Sequence, residues 1–225
     1  RLCCSIAVNW ELLKSNPCHD VILPSNKKKE IQILSPEDFA VFCSHLDEIP
    51  LDQRVCFELA LFGSLRRGEI MGILEDRIGN EFVKDTKTSS GERLCILPAP
   101  VIRDVKALRK HHIEQKLKLG PLWTNSDYLI KEQNGEAFHP GECARRLRRY
   151  MERIGLEPIT FHALRHTYAS ICISIGADPA TVSKRMGHAN VSTTLGIYTH
   201  LFEKKEEEDK LASALGDMLT KSVEK

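Results

Sequence analysis

Long hydrophobic runs are missing from this chain of 225 residues. None approaches the roughly 18 apolar residues that a membrane-spanning helix needs, and no signal-peptide pattern is visible. We therefore expect a cytoplasmic protein that does not enter a membrane. Because the chain begins at Arg1 and not at a methionine, we also expect a fragment whose missing part lies upstream. The hydrophobic fraction of 42% is enough for one sizeable core.

Closely spaced cysteine pairs are missing as well. The eight cysteines are scattered and none forms a C-x-x-C pair, which argues against a zinc site or a disulfide framework. Most lie in apolar stretches, so we expect buried free thiols in a reducing compartment. The adjacent His111 and His112 suit a solvated helix end better than a metal site. Because there is also no glycine-rich phosphate loop and no carboxylate cluster for magnesium, we expect neither a cofactor nor a metal.

An excess of charge of one sign is the third absence, since the net charge is only +1. The charges are nevertheless separated along the chain. Residues 206–209 are all acidic, whereas basic residues gather at 27–29 and at Arg145, Arg146, Arg148, Arg149 and Arg153. This distribution is compatible with a one-sided surface for nucleic acid. The composition alone is equally compatible with charged faces that only meet water.

The first 30 residues predict the end of one domain followed by a linker. Residues 1–15 have apolar side chains at helical spacing, and the Asn16-Pro17 step should stop this helix. Residues 16–30 carry prolines and lysines without a helical period, which is typical of a linker. We expect a second domain over residues 31–225.

The second domain is predicted to have an α+β fold, mainly helical with a small antiparallel sheet. Ser35 should cap its first helix, and residues 52–62 predict an apolar, buried helix before a sharp break at 63–70. Short alternating segments between turn residues at 76–98 indicate the sheet. Helices predominate after residue 100, with caps or stops expected at Thr160, Gly176, Asp178 and Gly187 and a charged last helix over 203–222.

Three short segments carry side chains that suit a chemical site. His162 and Arg165 are three residues apart, on one face of a predicted helix. Arg66 follows the buried helix. Each of these features is weak alone, because a surface pair or a structural ion pair would look the same. The segment 187–200 is more specific, since it starts at a helix-ending glycine and leads to Tyr198, ten residues after a histidine.

Together these segments resemble the tyrosine recombinase (phage integrase) family, in particular the integrases of phages and conjugative transposons. Three boxes match in order, at residues 63–70, 162–169 and 187–200, and the similarity extends over nearly the whole chain. The resemblance implies that residues 1–15 are the end of a truncated core DNA-binding domain. It implies a tyrosine recombinase catalytic domain over residues 31–225.

The family's catalytic residues can be carried over to six positions, namely Arg66, Lys87, His162, Arg165, His188 and Tyr198. Lys84 is a weaker alternative to Lys87, and Arg67 is a neighbour of Arg66 outside this set. By its position, Glu69 would hold Arg66 in place. One departure stands out. The family usually has glycine directly before the leucine of its first box, where this chain has Ser64.

The resemblance implies an enzyme that cuts and rejoins DNA strands. Arg66 and Arg165 suit phosphate because each guanidinium is always charged and offers a planar fork of donors. Tyr198 would form a 3′-phosphotyrosyl link, with His162 accepting its proton and Lys87 protonating the departing 5′ oxygen. The link stores the energy of the ester, so rejoining needs neither ATP nor a metal. We expect that replacing either arginine nearly abolishes cleavage and leaves the fold intact.

The implied function is site-specific recombination that integrates or excises a mobile element. The implied partners are double-stranded DNA, a tetramer formed on DNA by exchange of the C-terminal helix, and an excisionase or a host DNA-bending factor. A type IB topoisomerase-like enzyme and a catalytically silent DNA-binding accessory protein are the alternatives. Four arginines of one predicted helix are expected to contact DNA phosphates, namely Arg145, Arg146, Arg149 and Arg153.

Overall fold

The computed structural model of the chain describes residues 2–21, 32–79, 82–84, 94–187 and 190–192. Its α-helices are α1 (Leu2–Asn9), α2 (Pro36–Ser44), α3 (Leu51–Leu61), α4 (Arg67–Met71), α5 (Ala99–Leu119), α6 (Pro140–Arg153), α7 (Phe161–Ser174) and α8 (Pro179–Met186). Short 3₁₀ helices lie at Leu46–Glu48, Glu75–Arg77 and Gly120–Leu122. Strands β1 (Phe82–Lys84) and β2 (Leu94–Ile96) pair in antiparallel fashion, with Phe82 opposite Ile96. The described part is mainly helical, as the sequence predicts, and contains no helix long and apolar enough to cross a membrane.

The chain divides into two compact units, residues 1–30 and 31–225. In the first unit, α1 has no buried residue and ends at Asn9, well before the Asn16-Pro17 step that should stop it. Glu11 has a φ of 59°, which lies in the left-handed region and is incompatible with a continuing right-handed helix. The prediction of a helix up to residue 15 is therefore wrong at its C-terminal end.

The core of the second unit forms around α3. Every residue of this helix from Val55 to Leu61 is buried, including Glu58, so the helix is enclosed on all sides and not along one stripe. Aromatic rings of α2, α3 and α6 meet there, with the ring centroids of Phe42 and Tyr150 5.0 Å apart. The Tyr150 hydroxyl donates a hydrogen bond to the Phe42 carbonyl, which satisfies the one polar group that this cluster buries.

Capping residues fix the ends of the two helices that lead to the candidate site. The Thr160 hydroxyl accepts the N–H of Ala163 at 3.2 Å at the start of α7. The Asp178 carboxylate accepts the N–H of Thr181 at 2.9 Å at the start of α8. Gly187 ends α8 with a φ of 62°, a left-handed conformation that glycine adopts readily. These three predicted helix signals are confirmed.

The cysteines are free thiols, but few of them are buried. Cys56 on α3 and Cys143 on α6 are buried, and their sulfur atoms lie 3.5 Å apart. The thiol–thiol hydrogen bond and burial raise the pKa of Cys56, so its thiol stays protonated. Cys3 is exposed and the other five are partly buried. The expectation of buried thiols therefore holds for only two of the eight.

Candidate active site

The break between α3 and α4 shapes one side of the candidate site. Gly63 lies against other backbone there, because a Cβ atom would come within 2.6 Å of the Leu59 carbonyl oxygen. Ser64 follows with a φ of 53°, a left-handed conformation that disfavours residues with a Cβ atom. Ser64 thus occupies a backbone conformation for which the family's glycine is better suited.

Arg66 lies at the start of α4 and is held by Glu69. One Glu69 carboxylate oxygen accepts from the Arg66 guanidinium at 2.7 Å, and the other accepts from the Arg66 backbone N–H at 2.7 Å. The guanidinium also donates to the Gly187 carbonyl at 3.2 Å. With 44% of the side chain exposed, Arg66 remains accessible to an incoming anion. These contacts are the ones that a positioning role for Glu69 requires.

Arg165 is the largest fully buried side chain of the described residues, with 1% of its surface exposed. Its guanidinium donates to the carbonyl oxygens of Ser64 and Met186. These oxygens offset part of the desolvation of the buried charge, because each carries a partial negative charge. Arg165 therefore joins the break before α4 to the end of α8.

Both arginines meet at the end of α8, although they come from distant parts of the sequence. Arg66 reaches the Gly187 carbonyl, 121 residues away, and Arg165 reaches that of the preceding residue, Met186. Two guanidinium groups on adjacent carbonyls create a strongly positive region. This arrangement suits a bound anion such as a phosphate, because Arg66 is exposed enough to donate to it and the buried Arg165 adds a second positive charge behind it.

His162 lies in the first turn of α7 and is exposed. Its ring meets that of His166 edge to face, with centroids 4.7 Å apart. The surrounding protein nevertheless partly desolvates the His162 ring, and this desolvation lowers its pKa. The charges of Arg165 and Arg66 lower it further, while Glu69 opposes the effect. At neutral pH the imidazole is therefore predominantly neutral, and one ring nitrogen can accept a proton.

A groove of about 480 Å³ runs between α4, α6 and the start of α7. Arg66 and His162 line it, and so does Arg67, which the sequence places only as a neighbour of Arg66. Among the described residues that line the groove there is no Asp or Glu. The doubled arginine ahead of Gly68 is the sequence signal for this extra charge.

Three predicted catalytic residues, Lys87, His188 and Tyr198, lie outside the described residues. Lys84 ends β1. In the described ranges, no group of three or more His, Cys, Asp or Glu side chains is arranged to hold a metal ion. The structure thus brings together Arg66, His162 and Arg165 with Glu69, and the other assignments stay predictions.

The arginines of α6 line a different groove from the one beside His162. This second groove, of about 1040 Å³, includes Arg145, Arg146, Arg149 and Arg153 together with Asp52, Glu132, Glu136 and Glu142. Arg146 forms ion pairs with Asp52 at 2.6 Å and with Glu132 at 3.3 Å. Arg145 pairs with Glu142, and Arg153 with Glu48 at 3.5 Å. Within the described part of the chain, Arg149 is the one of these four arginines that has no ion pair. The contact of the four arginines with DNA stays a prediction.

Comparison with protein families gives a match that covers most of the chain. The model of the phage integrase family matches residues 32–205. The chain belongs to the phage integrase family. This range contains all six positions to which the catalytic residues of the family were carried over, so the resemblance seen in the sequence is confirmed.

The curated relatives include recombinases, an integrase and a transposase, and about a quarter or more of their aligned residues are identical to those of this chain. A tyrosine recombinase XerC-like protein of Caldanaerobacter subterraneus subsp. tengcongensis is 27% identical over 235 residues, covering 89% of this chain and 60% of that protein. The ICEBs1 integrase of Bacillus subtilis is 25% identical over 230 residues, covering 95% of this chain and 62% of the integrase. Transposase A from transposon Tn554 of Staphylococcus aureus is 30% identical, covering 79% and 51%. The chain therefore spans less than two thirds of the length of these relatives.

Solved structures share the fold at lower identity. The Tn1549 transposon integrase in complex with a circular intermediate DNA superposes with a TM-score of 0.71 at 18% identity, covering 94% of this chain and 75% of the integrase. The XerH site-specific recombinase bound to difH substrate, in a pre-cleavage complex, gives 0.67 at 22% identity, covering 88% and 58%. These similarities confirm the predicted tyrosine recombinase fold.

Proposed function

We propose that this chain carries the catalytic domain of a site-specific DNA recombinase that integrates or excises a mobile element. The observation that carries the proposal is the meeting of Arg66 and Arg165 on the carbonyls of Gly187 and Met186. His162, with its lowered pKa, lies beside them. The names of the relatives support a mobile element, because they include an integrase and a transposase.

The two arginines supply the electrostatic part of the reaction. A phosphodiester repels nucleophiles because it is negatively charged, and its transition state gathers further charge on the nonbridging oxygens. In the proposed reaction the positive charges of Arg66 and Arg165 offset both charges. Glu69 and the carbonyls of Ser64 and Met186 hold the donors in place before DNA binds. Loss of one preorganised donor typically lowers the rate by about 10²–10³.

Tyr198, His162 and Lys87 carry the bond and proton transfers. A tyrosine hydroxyl ionises near pH 10, so Tyr198 needs a proton acceptor at neutral pH. His162 takes this proton as the phenolic oxygen bonds to phosphorus, and the bond to the 5′ oxygen breaks. Lys87 protonates that oxygen, which leaves as a 5′ hydroxyl. In the second step a 5′ hydroxyl attacks the phosphotyrosine, and Tyr198 recovers its proton.

The partners follow from the same proposal. Double-stranded DNA is the substrate, and four protomers on two duplexes would exchange their C-terminal helices. An excisionase or a host DNA-bending factor would set the direction of the reaction. His188 would add another donor to the scissile phosphate, next to Gly187, where Arg66 already makes its contact.

A suicide substrate tests the proposal. The chain is incubated with a library of nicked duplexes of randomised sequence, in which the short 5′-hydroxyl fragment diffuses away after cleavage. Covalent protein–DNA adducts are then isolated and sequenced. We expect an adduct on Tyr198 by mass spectrometry, none from Tyr198→Phe, and normal adduct from Tyr128→Phe, whose ring is 39% exposed.

Other outcomes would replace the proposal. An adduct on Tyr150 or Tyr168, which are buried, would contradict the assignment of the nucleophile. DNA binding without an adduct would favour an accessory DNA-binding protein. Relaxation of supercoiled DNA without formation of a four-way junction would favour a topoisomerase-like enzyme.

A further inference from the structure

The groove beside His162 has a single sign of charge. Arg66, Arg67 and His162 line it, and no carboxylate does so in the part of the chain that the structure describes. The groove along α6 is different, because four carboxylates lie among its arginines. Arg66 is paired with Glu69, so Arg67 is the cation of this lining that can favour an anion. The proposed reaction uses only Arg66 and His162 from the groove.

Within the described residues Arg67 has no ion pair, in contrast to Arg66 and Arg146. Arg66 lies 2.7 Å from Glu69 and Arg146 lies 2.6 Å from Asp52, whereas no carboxylate of the described residues pairs with the exposed Arg67. The positive charge of Arg67 acts on the nearby thiol of Cys143. Its pKa is lowered by the hydrogen bond with Cys56 and then by the charge of Arg67.

The two adjacent arginines serve different places. The Arg66 guanidinium is fixed at Glu69 and Gly187, whereas Arg67 lines the groove beside Gly68 and Ala144. A Cβ atom added at Gly68 would have no atom within 4 Å, so the space next to Arg67 is open. Because the two side chains serve different places, Arg66 and Arg67 can contact two different phosphates of one strand.

We propose that Arg67 binds the phosphate next to the scissile one on the cleaved strand, and that the groove holds the nucleotide between these two phosphates. This inference rests on the proposed function, because Arg66 and Arg165 define the scissile phosphate. The groove volume of about 480 Å³ falls within the roughly 300–1,000 Å³ of ligand pockets. Ile159 and Phe161 give the groove an apolar wall for the deoxyribose.

Arg67 is a positioning residue in this arrangement. A contact to a phosphate that does not react carries no sequence information, but it fixes the register of the strand. Fixed register places the scissile phosphorus in line with the nucleophile, and small displacements there lower the rate strongly. Arg67 should therefore affect both DNA binding and the rate of cleavage.

The salt dependence of binding gives the first test. Arg67→Ala and Arg67→Lys are compared with Arg109→Ala, which removes an exposed arginine of α5 that also has no ion pair in the described residues. Binding to a mixed-sequence duplex is followed by fluorescence anisotropy over a range of salt concentrations. We expect Arg67→Ala to reduce the slope of log Kd against log salt by about 0.9 and to weaken binding about tenfold. Arg67→Lys should keep the slope of the unmodified chain. Arg109→Ala, which lies outside the groove, should keep it as well. A slope for Arg67→Ala equal to that of the unmodified chain overturns the proposal.

A neutral phosphate analogue gives the second test. Single methylphosphonates are placed at the phosphates on either side of the scissile one, in a duplex enriched by the suicide-substrate selection. At one of these positions the analogue should slow adduct formation by the unmodified chain and cause no further loss in Arg67→Ala. The rate loss from the analogue and the rate loss from Arg67→Ala could instead multiply at both positions. In that case Arg67 does not bind a neighbouring phosphate. A chain that binds DNA without forming an adduct contradicts the proposed function, and the salt slope then still decides whether Arg67 binds phosphate.

Discussion

At the scale of single residues, the two arginines of the candidate site differ in burial. The side chain of Arg66 is 44% exposed, whereas Arg165 is almost fully enclosed and holds two backbone carbonyls. Both bear the charge that a phosphate needs. Only Arg165 is also part of the packing that joins α7, α8 and the break before α4.

Replacing these arginines should therefore give different stabilities and similar losses of activity. Either alanine variant should slow adduct formation by about 10²–10³. Arg66→Ala should change the free energy of unfolding by less than about 1 kcal/mol, because its ion pair is partly solvated. Arg165→Ala should lower it by about 2–4 kcal/mol, because two carbonyls lose their donors and a cavity remains.

Urea unfolding and adduct formation measured on the same samples check this prediction. Arg109→Ala is the control for removal of an exposed arginine. Equal stability of the Arg66 and Arg165 variants would show that the buried guanidinium does not support the fold. That outcome would agree with the expectation from the sequence that the fold stays intact in both variants.

A second residue-scale feature is the buried carboxyl of Glu58 on α3. Burial, followed by the nearby charge of Asp104, raises the pKa of Glu58 to about 8, although Arg54 opposes the shift. The folded-state pKa is higher than that of an unfolded chain, which is about 4.3. The protonated carboxyl is thus favoured by the fold. Its contribution to stability is complete below about pH 4.3 and is lost as the pH rises towards 8.

Glu58→Gln should remove this pH dependence, because the amide stays neutral. Between pH 5 and pH 8 the variant should gain a few kcal/mol of stability relative to the unmodified chain, at about 1.4 kcal/mol per unit of pKa shift. Urea midpoints at both pH values measure the difference. Glu157→Gln, an exposed glutamate, is the matched control and should show no such trend. A parallel pH dependence of the two variants would contradict the raised pKa.

At the scale of secondary-structure elements, the site depends on where α8 ends. The carbonyls of Met186 and Gly187 receive Arg165 and Arg66, and Gly187 ends the helix in a left-handed conformation. Any strain at this residue is therefore passed to both arginines. Gly176 also has a left-handed conformation, with a φ of 84°, but it follows α7 and not α8.

Gly187→Ala and Gly176→Ala should separate stability from activity. Each variant should lose about 1 kcal/mol or slightly more, because an alanine Cβ disfavours the left-handed region. Only Gly187→Ala should also slow adduct formation, since it displaces the carbonyls that orient the arginines. Thermal unfolding and suicide-substrate kinetics measure the two effects. Equal cleavage rates of the two variants would show that the end of α8 does not orient the site.

At the scale of the whole molecule, the chain has almost no net charge and spans less than two thirds of its curated relatives. The DNA affinity that the proposed function requires must therefore come from local basic surfaces, and the longer relatives have additional sequence. We expect the chain alone to bind DNA weakly, with a Kd that rises steeply with salt. A gel-shift comparison with a longer relative, the ICEBs1 integrase of Bacillus subtilis, measures the difference. Equal affinity would show that the catalytic domain alone supplies the DNA-binding surface.

The local features of this protein can be predicted from its sequence. Helix starts at Thr160 and Asp178 and the stop at Gly187 are visible in the sequence, because each depends on a side chain or backbone only a few residues away. The pair Arg66 and Glu69 is similarly local. The motif boxes gave the family, because their residue types and order are recognisable before folding.

Which distant side chains meet depends on how the helices pack. The contacts of Arg66 with Gly187 and of Arg165 with Ser64 span more than a hundred residues, and no periodic pattern in the sequence encodes them. The same holds for the face of α6 that carries paired arginines and for the buried carboxyl of Glu58. These contacts arise because α7 buries apolar residues against α3 and, in a second cluster, against α8. Hydrophobic burial thereby brings polar groups into contact wherever the packed helices place them.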